Sequence, residues 1–533
     1  MADQTYLKLQ NGSDIRGVAL GGVPGEDVNL TAQIVRDISA AFARFVKKEK
    51  SGSGKTLQIG IGHDSRLSAE NLKRTAALGL ADEGAVVFDC GLVPTPAMFM
   101  STVFDEFKFD GAVMITASHL PFNRNGLKFF TCEGGLDGGQ IRRILDDAAE
   151  AAGESRADEA NGESCDAGAK DELCNAGAEG DLTGGAGDVR LESANLLEAY
   201  KNHLKSRILR DTGFLDDPCA RPLEGFHIVV DGSNGVGGYF KDVIEELGGD
   251  TRGSVCLEPD GMFPVHRPNP EDAGAMDYLK NAVAAAGGDL GVIFDADGDR
   301  AAVVFSTGEE VNKNTIIALM ALIIKKDHPE TTIVTDSVTS DHLNDFLENN
   351  LGMKHHRFKR GYKNVINEAI RLNKEGIETH LAIETSGHGA LKENFFLDDG
   401  AYMSAKIIAH MVNCRKRGED IEAALKDLKH PAESRDVRIN INREDFKEYG
   451  QGILDDFLAY AKENELDIVE PNFEGIRVRF NDEKVRGWML IRLSLHDPQI
   501  SMNIESDVPG GVGEVTERLD GFFEKYGENI SRA

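Results

Sequence analysis

Three times along this chain a short apolar run ends abruptly in small or polar residues and gives way to a helical pattern, at about residues 5–145, 195–305 and 308–425. Consecutive parallel strands need a connection long enough to hold a helix, so this alternation predicts parallel sheets clad with helices. The clearest strand runs are Leu57–Ile61, Ala112–Ile115, His227–Asp231, Leu290–Phe294, Thr332–Thr335 and His380–Glu384. From about Ser434 the rhythm changes to strands and helices in blocks, with strands at Val437–Asn440, Gly475–Phe480, Gly487–Leu493 and Ile500–Glu505. That pattern predicts an α+β domain with an antiparallel sheet. The expected fold class is α/β, with three similar doubly wound α/β domains plus a C-terminal α+β domain. The expected boundaries are 1–194, 195–307, 308–430 and 431–533.

In doubly wound sheets ligands collect at the carboxyl ends of strands, and the polar residues there deserve the closest reading. The run Ala112–Ile115 stops at Thr116-Ala-Ser-His119, after which Pro121 and Gly126 are expected to hold a loop that reaches Lys128. Ser118, at a strand end and beside His119, is a candidate nucleophile. The run Leu290–Phe294 stops at Asp295-Ala-Asp-Gly-Asp-Arg300. Three carboxylates at alternate positions suit a hard cation; at ~4 Å each pair repels by about 4 kcal/mol at an effective dielectric of 20, which a magnesium ion between them would relieve. An EF-hand is excluded, because Arg300 stands at its glycine position and Ser306 at its bidentate glutamate. Arg16 and Arg66 also lie at predicted strand ends, with Ser68 as the expected N-cap of helix Ala69–Asp82. Farther along come the basic loop Arg357–Lys363, the strand end Glu384-Thr-Ser-Gly-His388, and the turn Arg492-Leu-Ser-Leu-His-Asp-Pro498, whose Arg and Ser could cradle a phosphate. Two tempting motifs fail. Gly54-Lys55-Thr56 has Glu49 where a P-loop needs glycine, and Gly232–Gly238 lacks the dinucleotide-binding spacing.

The formal charge of −31 argues against nucleic acid and anionic membranes as partners, though a local Arg/Lys cluster could still hold a small anion. Seven scattered cysteines with no Cys-x-x-Cys pair fit reduced thiols better than a disulfide framework or a zinc site. The longest apolar stretch, Ile316–Ile324, is far short of the ~20 residues that span a bilayer. The start, Met-Ala-Asp-Gln-Thr, has no signal pattern, so a cytoplasmic location is expected. Residues 150–190 are acidic, low in complexity and nearly devoid of large apolar side chains, which predicts a mobile insertion.

Together and in this order, these segments resemble the α-D-phosphohexomutase superfamily, the phosphoglucomutases and phosphomannomutases. Thr116-Ala-Ser-His119 with Asn125-Gly-Leu-Lys128 looks like the family's phosphoserine loop, Asp295–Arg300 its magnesium loop, Glu384–His388 its sugar-recognition loop and Arg492-Leu-Ser494 its phosphate-binding loop. Asp260-Gly-Met-Phe-Pro-Val-His266 with Pro268-Asn-Pro-Glu271 matches a further family segment. The resemblance implies four domains around a central cleft, each giving one loop. It implies a phosphoserine at Ser118, Mg²⁺ on Ser118, Asp295, Asp297 and Asp299, and glucose 1,6-bisphosphate as activator. Lys128, with His119, would move the sugar hydroxyl proton, and Arg16 would steady the phosphoserine. Arg300, Lys363, Glu384, Ser386, His388, Arg492, Ser494 and His496 would bind the substrate.

The implied reaction interconverts hexose 1-phosphate and 6-phosphate, with glucose and mannose as the expected sugars and glucosamine as the alternative. The expected partners are small hexose phosphates, and the expected assembly is a monomer or homodimer. Departures from the family pattern bear on the sugar: Leu120 stands where Asn is frequent, Ser13 precedes Asp-Ile-Arg-Gly17 where Tyr is frequent, and His496-Asp-Pro498 replaces Thr-Glu-Pro. A magnesium-dependent phosphatase and a non-catalytic sugar-phosphate sensor are the competing functions. Loss of Ser118 or of an aspartate would mark a sensor, and all are present.

Overall fold

The strands gather into four sheets in a computed structural model, which describes residues 4–50, 55–161, 191–217, 219–494 and 497–532, with residues 155–161 described by backbone alone. The chain divides into two compact units, Met1–Glu310 with Asp399–Ala409, and Val311–Asp398 with His410–Ala533.

In the first unit, strands β1 (Asp14–Val18), β2 (Gln58–His63), β3 (Val86–Leu92), β4 (Gly111–Ile115) and β5 (Arg124–Thr131) lie in one sheet in the order β1-β5-β4-β2-β3. Pairs β2–β3 and β2–β4 are parallel, while β5 runs antiparallel to both β4 and β1. Helices α1 (Ala32–Glu49), α2 (Ala69–Asp82) and α3 (Gly138–Asn161) flank it. Thr31 caps α1 by accepting from the Ile34 N–H at 3.4 Å, and the core closes with Phe42 against Phe129, ring centroids 4.5 Å apart. The unit's second sheet places β6 (Ile228–Asp231) parallel to β7 (Leu290–Phe294), and β7 antiparallel to β8 (Ala301–Phe305).

In the second unit, β9 (Thr332–Thr335) pairs in parallel with β10 (Lys354–Arg357) and β11 (Thr379–Ile383), and β11 pairs antiparallel with β12 (Gly389–Leu391). A final antiparallel sheet holds β13 (Glu433–Ile441), β14 (Ile476–Phe480), β15 (Gly487–Leu493) and β16 (Gln499–Ser506), in the order β14-β15-β16-β13. The α+β expectation for the last block is met, with helices Phe446–Glu463 and Gly511–Glu524 burying Ile453, Phe457, Val515 and Phe522.

One regularity was not anticipated. The segments 116–123, 295–300 and 384–388 are each the connection of an antiparallel hairpin, β4–β5, β7–β8 and β11–β12. The sequence suggested a strand end followed by a loop at these points; the loop in fact turns the chain back beside the strand it has just left. Gly126 and Lys128 accordingly lie in β5 and not in the expected loop. Gly126 pairs with Arg16, and a Cβ there would sit 2.0 Å from the Ile15 carbonyl oxygen, so only glycine lets the two strands approach.

Other expectations need correction. The apolar alternation of Tyr6-Leu-Lys-Leu9 suggests a strand, yet the helix Gln4–Leu7 runs into it. The insertion expected to be mobile from residue 150 begins as helix, because α3 continues to Asn161; its Ala, Glu and Arg residues are good helix formers. Residues 162–190 lie outside the described residues. Among the described residues no helix is long and apolar enough to cross a membrane.

Candidate active site

The first half of the site grows from the end of β4. The Thr116 N–H still pairs with the Gly126 carbonyl at 3.1 Å, closing the hairpin ladder. Two residues on, Ser118 adopts φ +50°, a left-handed conformation that costs an L-residue roughly 1–2 kcal/mol and is concentrated at functional sites. A local bond holds it there, since the Ser118 N–H donates to Thr116 Oγ1 at 2.8 Å, and the Thr116 hydroxyl donates to Asp64 Oδ2 at 2.7 Å.

Arg66 fixes the rest of the loop. Its Nε donates to Asp64 at 3.1 Å, Nη1 to the carbonyls of Pro121 and Arg124 at 2.8 and 3.0 Å, and Nη2 to the carbonyls of Ser118 and of Leu120, the latter at 2.7 Å. All five guanidinium N–H groups are thereby matched to acceptors. Phe263 covers the guanidinium, its ring centroid 5.4 Å away. Arg16 donates to the Thr116 carbonyl and to Asp14, bracing the same loop from β1. Ser68, expected to cap α2 with its side chain, makes no cap bond; its hydroxyl accepts from Asn125 instead, at 2.9 Å.

The hydroxyl of Ser118 meets the acidic loop. Ser118 Oγ donates to Asp295 Oδ2 at 3.0 Å, Arg300 Nη2 donates to Ser118 Oγ at 3.1 Å, and His119 Nδ1 lies 3.4 Å from that oxygen. Arg300 also bonds Asp295 through Nε at 3.0 Å, His119 at 2.5 Å and Asn269 at 3.2 Å. Asp295, Asp297 and Asp299 are almost wholly buried, and one oxygen from each lies within 4.8 Å of the others. Lys128, directly opposite Met114 across the hairpin, donates to Asp297 Oδ2 at 3.1 Å and to Asp299 Oδ2 at 2.5 Å. Burial resists charge on Asp297, but Lys128 and the Thr95 hydroxyl, 2.6 Å away, hold its carboxyl below the usual range. Burial likewise opposes charge on Arg300, and the three aspartates more than compensate, so it stays a cation.

These donors fit a hard divalent ion. The set is all oxygen, and three buried carboxylates converge beside Lys128 and Arg300. The buried Asp297 Oδ1 has no hydrogen-bond partner among the described residues.

The second unit carries the other expected residues. Glu384 follows β11 and is buried; it accepts from the Gly361 N–H at 2.6 Å and from Ser386 Oγ at 3.3 Å. Gly361, at φ +110°, is the residue that opens helix α4 (Tyr362–Lys374) onto that carboxylate. The Tyr362 ring stacks on His388 at 5.0 Å, His388 bonds Asp398, and Lys363 Nζ lies 5.8 Å from the Tyr362 ring centroid. Arg492 is largely buried on β15, and its Nε has no hydrogen-bond partner among the described residues. Burial and the neighbouring Arg360 lower its pKa, and an anion would restore the balance. Ser494 Oγ accepts from the Asp497 N–H at 3.2 Å. His496 lies outside the described residues.

Burial, reinforced by the Asp336 carboxylate, pushes the Glu384 carboxyl from 4.5 up to about 7. The folded state therefore binds the extra proton between these values. This group's contribution to stability is complete below pH 4.5 and lost as pH rises through about 7. Urea midpoints at pH 5.5 and 7.5 are expected to fall less between the two for Glu384→Gln than for the parent; equal falls would refute the assignment.

Three descriptions of the phosphoglucomutase/phosphomannomutase family match the chain in succession, alpha/beta/alpha domain I over residues 8–154, domain II over 200–308 and domain III over 312–430. The chain belongs to this family. It is a mutase of the α-D-phosphohexomutase superfamily, with the α/β fold expected from its sequence. A phosphomannomutase/phosphoglucomutase of Pseudomonas putida is 28% identical over 453 residues, covering 84% of each chain. A phosphoglucosamine mutase of Corynebacterium jeikeium is also 28% identical, over 434 residues, 79% of this chain and 83% of that one. A family protein from Burkholderia thailandensis has the same fold, with a TM-score of 0.72 at 23% identity across the full length of both chains.

Sequence reasoning noticed Arg66 but gave it no role, took in Asn269 only as part of a wider family segment, assigned nothing to Asp64 and Thr95, and missed Asp336 altogether. Asp336 follows β9 just as Asp295 follows β7, and it accepts from the Thr385 hydroxyl at 2.7 Å; its position after a strand was an available signal. Thr95 lies 202 residues from its partner Asp297 and had none.

Proposed function

We propose that this phosphohexomutase interconverts the 1- and 6-phosphates of glucose, mannose or both, through a phosphoserine at Ser118 and a hexose 1,6-bisphosphate intermediate. The observation that supports this most is the environment of Ser118 Oγ, 3.0 Å from Asp295 and 3.1 Å from Arg300. A phosphoryl group there would carry about −1.5 to −2 charge and would meet Arg300 on one side and the acidic loop on the other. Asp295, Asp297 and Asp299, with Ser118, would hold Mg²⁺, which when bound neutralises charge on the transferring group.

The chain's own residues supply the rest. Arg300 holds the transferring oxygens and Arg16 keeps the Ser118 loop in place. Lys128, assisted by His119, exchanges a proton with the attacking or leaving sugar hydroxyl. In the second unit Glu384, Ser386 and His388 take the sugar hydroxyls, Lys363 helps to set sugar preference, and Arg492 and Ser494, with His496, clamp the phosphate that is not being transferred. The reading assigns transfer chemistry to domains 1–194 and 195–307 and substrate recognition to domains 308–430 and 431–533, in a cytoplasmic monomer or homodimer.

Glucosamine phosphate is kept as a second substrate reading, because the phosphoglucosamine mutase relative is as similar as the phosphomannomutase one. Purified protein with Mg²⁺ and a catalytic amount of glucose 1,6-bisphosphate would be offered glucose, mannose and glucosamine 1-phosphates. Conversion of the glucose or mannose ester to the 6-phosphate without free phosphate is expected. Turnover of the glucosamine ester alone would move the assignment to the alternative, and release of inorganic phosphate alone would overturn the mutase.

A further inference from the structure

The segment 256–271 contributes Asn269 to Arg300 and Phe263 to Arg66. Its other side holds a cluster that the phosphoryl chemistry does not use. Asp231 ends β6 and is fully buried; its Oδ1 accepts from the Ser233 N–H at 2.8 Å, which turns Oδ2 toward His266. His266 Nε2 lies 3.0 Å from Asp231 Oδ2 and 3.8 Å from Cys256 Sγ, and the three atoms all lie within 4.8 Å of one another. The side chains of His266 and Asp231 are 6% and 0% exposed. His266 Nδ1 lies 2.8 Å from the Arg267 carbonyl, which obliges that nitrogen to carry its hydrogen. Nε2 is thus aimed at a carboxylate and a thiol, an approach that needs a shared cation.

We propose that Asp231, Cys256 and His266 form a binding site for a thiophilic divalent transition-metal ion of the zinc class, separate from the Mg²⁺ loop. The spacing suits it. Tetrahedral zinc with a thiolate at about 2.3 Å and N and O ligands at about 2.0 Å sets S···N near 3.6 Å and N···O near 3.3 Å, within a few tenths of an ångström of the distances present. A thiolate, an imidazole and a carboxylate select a borderline-soft ion over Mg²⁺. The carbonyl on Nδ1 is the outer support that metal-bound histidines require.

On binding, the Cys256 thiol and the His266 Nε2 release their protons to solvent, one bond to the metal replacing each, while Nδ1 keeps its hydrogen. Without the ion a proton between His266 Nε2 and Asp231 Oδ2 serves as the shared cation. The metal would tie the end of β6 to the segment that supports Arg300 and Arg66. No sequence-local motif announces it, because His266 lies 10 residues from Cys256 and 35 from Asp231.

Metal-stripped protein, held in excess Mg²⁺ to fill the acidic loop, would be titrated with Co²⁺ as a spectroscopic surrogate and with Zn²⁺ in competition. A thiolate-to-cobalt charge-transfer band that saturates at one equivalent and is erased by Zn²⁺ is expected. It should persist in Asp297→Asn, vanish in Cys256→Ser, and require at least tenfold more Co²⁺ in His266→Gln. Alkylation of the parent protein, mapped by peptide mass, needs no variant: Zn²⁺ should protect Cys256 selectively among the seven cysteines. Absence of the band from folded protein, its survival in Cys256→Ser, or alkylation of Cys256 that Zn²⁺ leaves unchanged would each overturn the proposal. None of these outcomes bears on isomerase activity, so this site and the proposed function stand or fall apart.

Discussion

Ser118→Ala is expected to lower hexose phosphate isomerisation by at least about a thousandfold, because in the proposed role of covalent nucleophile its loss takes away the whole stepwise route and not one contact within it. Protein incubated with hexose 1,6-bisphosphate and Mg²⁺ should take up one phosphoryl group as the parent and none as the variant, read by intact mass. The fold should survive, since the hydroxyl's partners are Asp295, Arg300 and His119, which also bond one another. Alanine does retain the left-handed φ of +50°. Ser118→Gly, which relieves that strain, is therefore the better control for structure and should be equally inactive. Parental turnover or phosphoryl uptake in either variant would remove Ser118 from the mechanism.

The second large effect is expected at Arg66. In Arg66→Met the buried Asp64 carboxylate loses its counter-ion, and the carbonyls of Ser118, Leu120, Pro121 and Arg124 lose their donors. Removing one partner of a buried ion pair typically costs about 3–5 kcal/mol, a sizeable part of the stability of a domain. Asp64→Asn added to Arg66→Met should recover some of that loss, because the uncompensated charge disappears. Arg66→Lys keeps the charge but cannot span five acceptors, and should fall between the two. With the Ser118 loop untethered, kcat is expected to drop roughly a hundredfold while KM changes little, since misplacing a nucleophile by an ångström has that effect. A parental urea midpoint and kcat in Arg66→Met would show that the loop holds itself.

The strand ends were legible because polarity changes abruptly there. The runs Leu290–Phe294 and Thr332–Thr335 coincide with observed strands to the residue, and their polar successors are the groups that cluster. Less local facts were hidden. A strand that turns back into a hairpin and one that leads to a helix both read as an apolar run followed by polar residues, so the antiparallel return at Arg124–Thr131 was read as loop. Ser68 had the right identity and place for a cap, yet the buried Asn125, 57 residues on, competes for its hydroxyl. Arg66 was visible as an arginine at a strand end, but its five acceptors come from two separate turns of chain, and no spacing rule connects them. Residues 150–161 lacked a core-facing stripe and so looked unstructured, although helix propensity alone favours what is observed there.

The three hairpins that bear the chemical loops have a consequence for how such an enzyme can diversify. Each loop leaves the sheet on one strand and returns on that strand's hydrogen-bonded neighbour, so its two roots are tied together before any residue of the loop is chosen. A segment rooted in this way can be lengthened, shortened or exchanged while the ladder beneath keeps its register. On the proposed assignment, the turn 384–388 can therefore drift from one hexose to another while the turn 116–123 stays fixed. On this view the enzyme is a set of interchangeable tips on invariant stems, and a change of substrate calls for a transplant of a few residues and not a redesign of the fold.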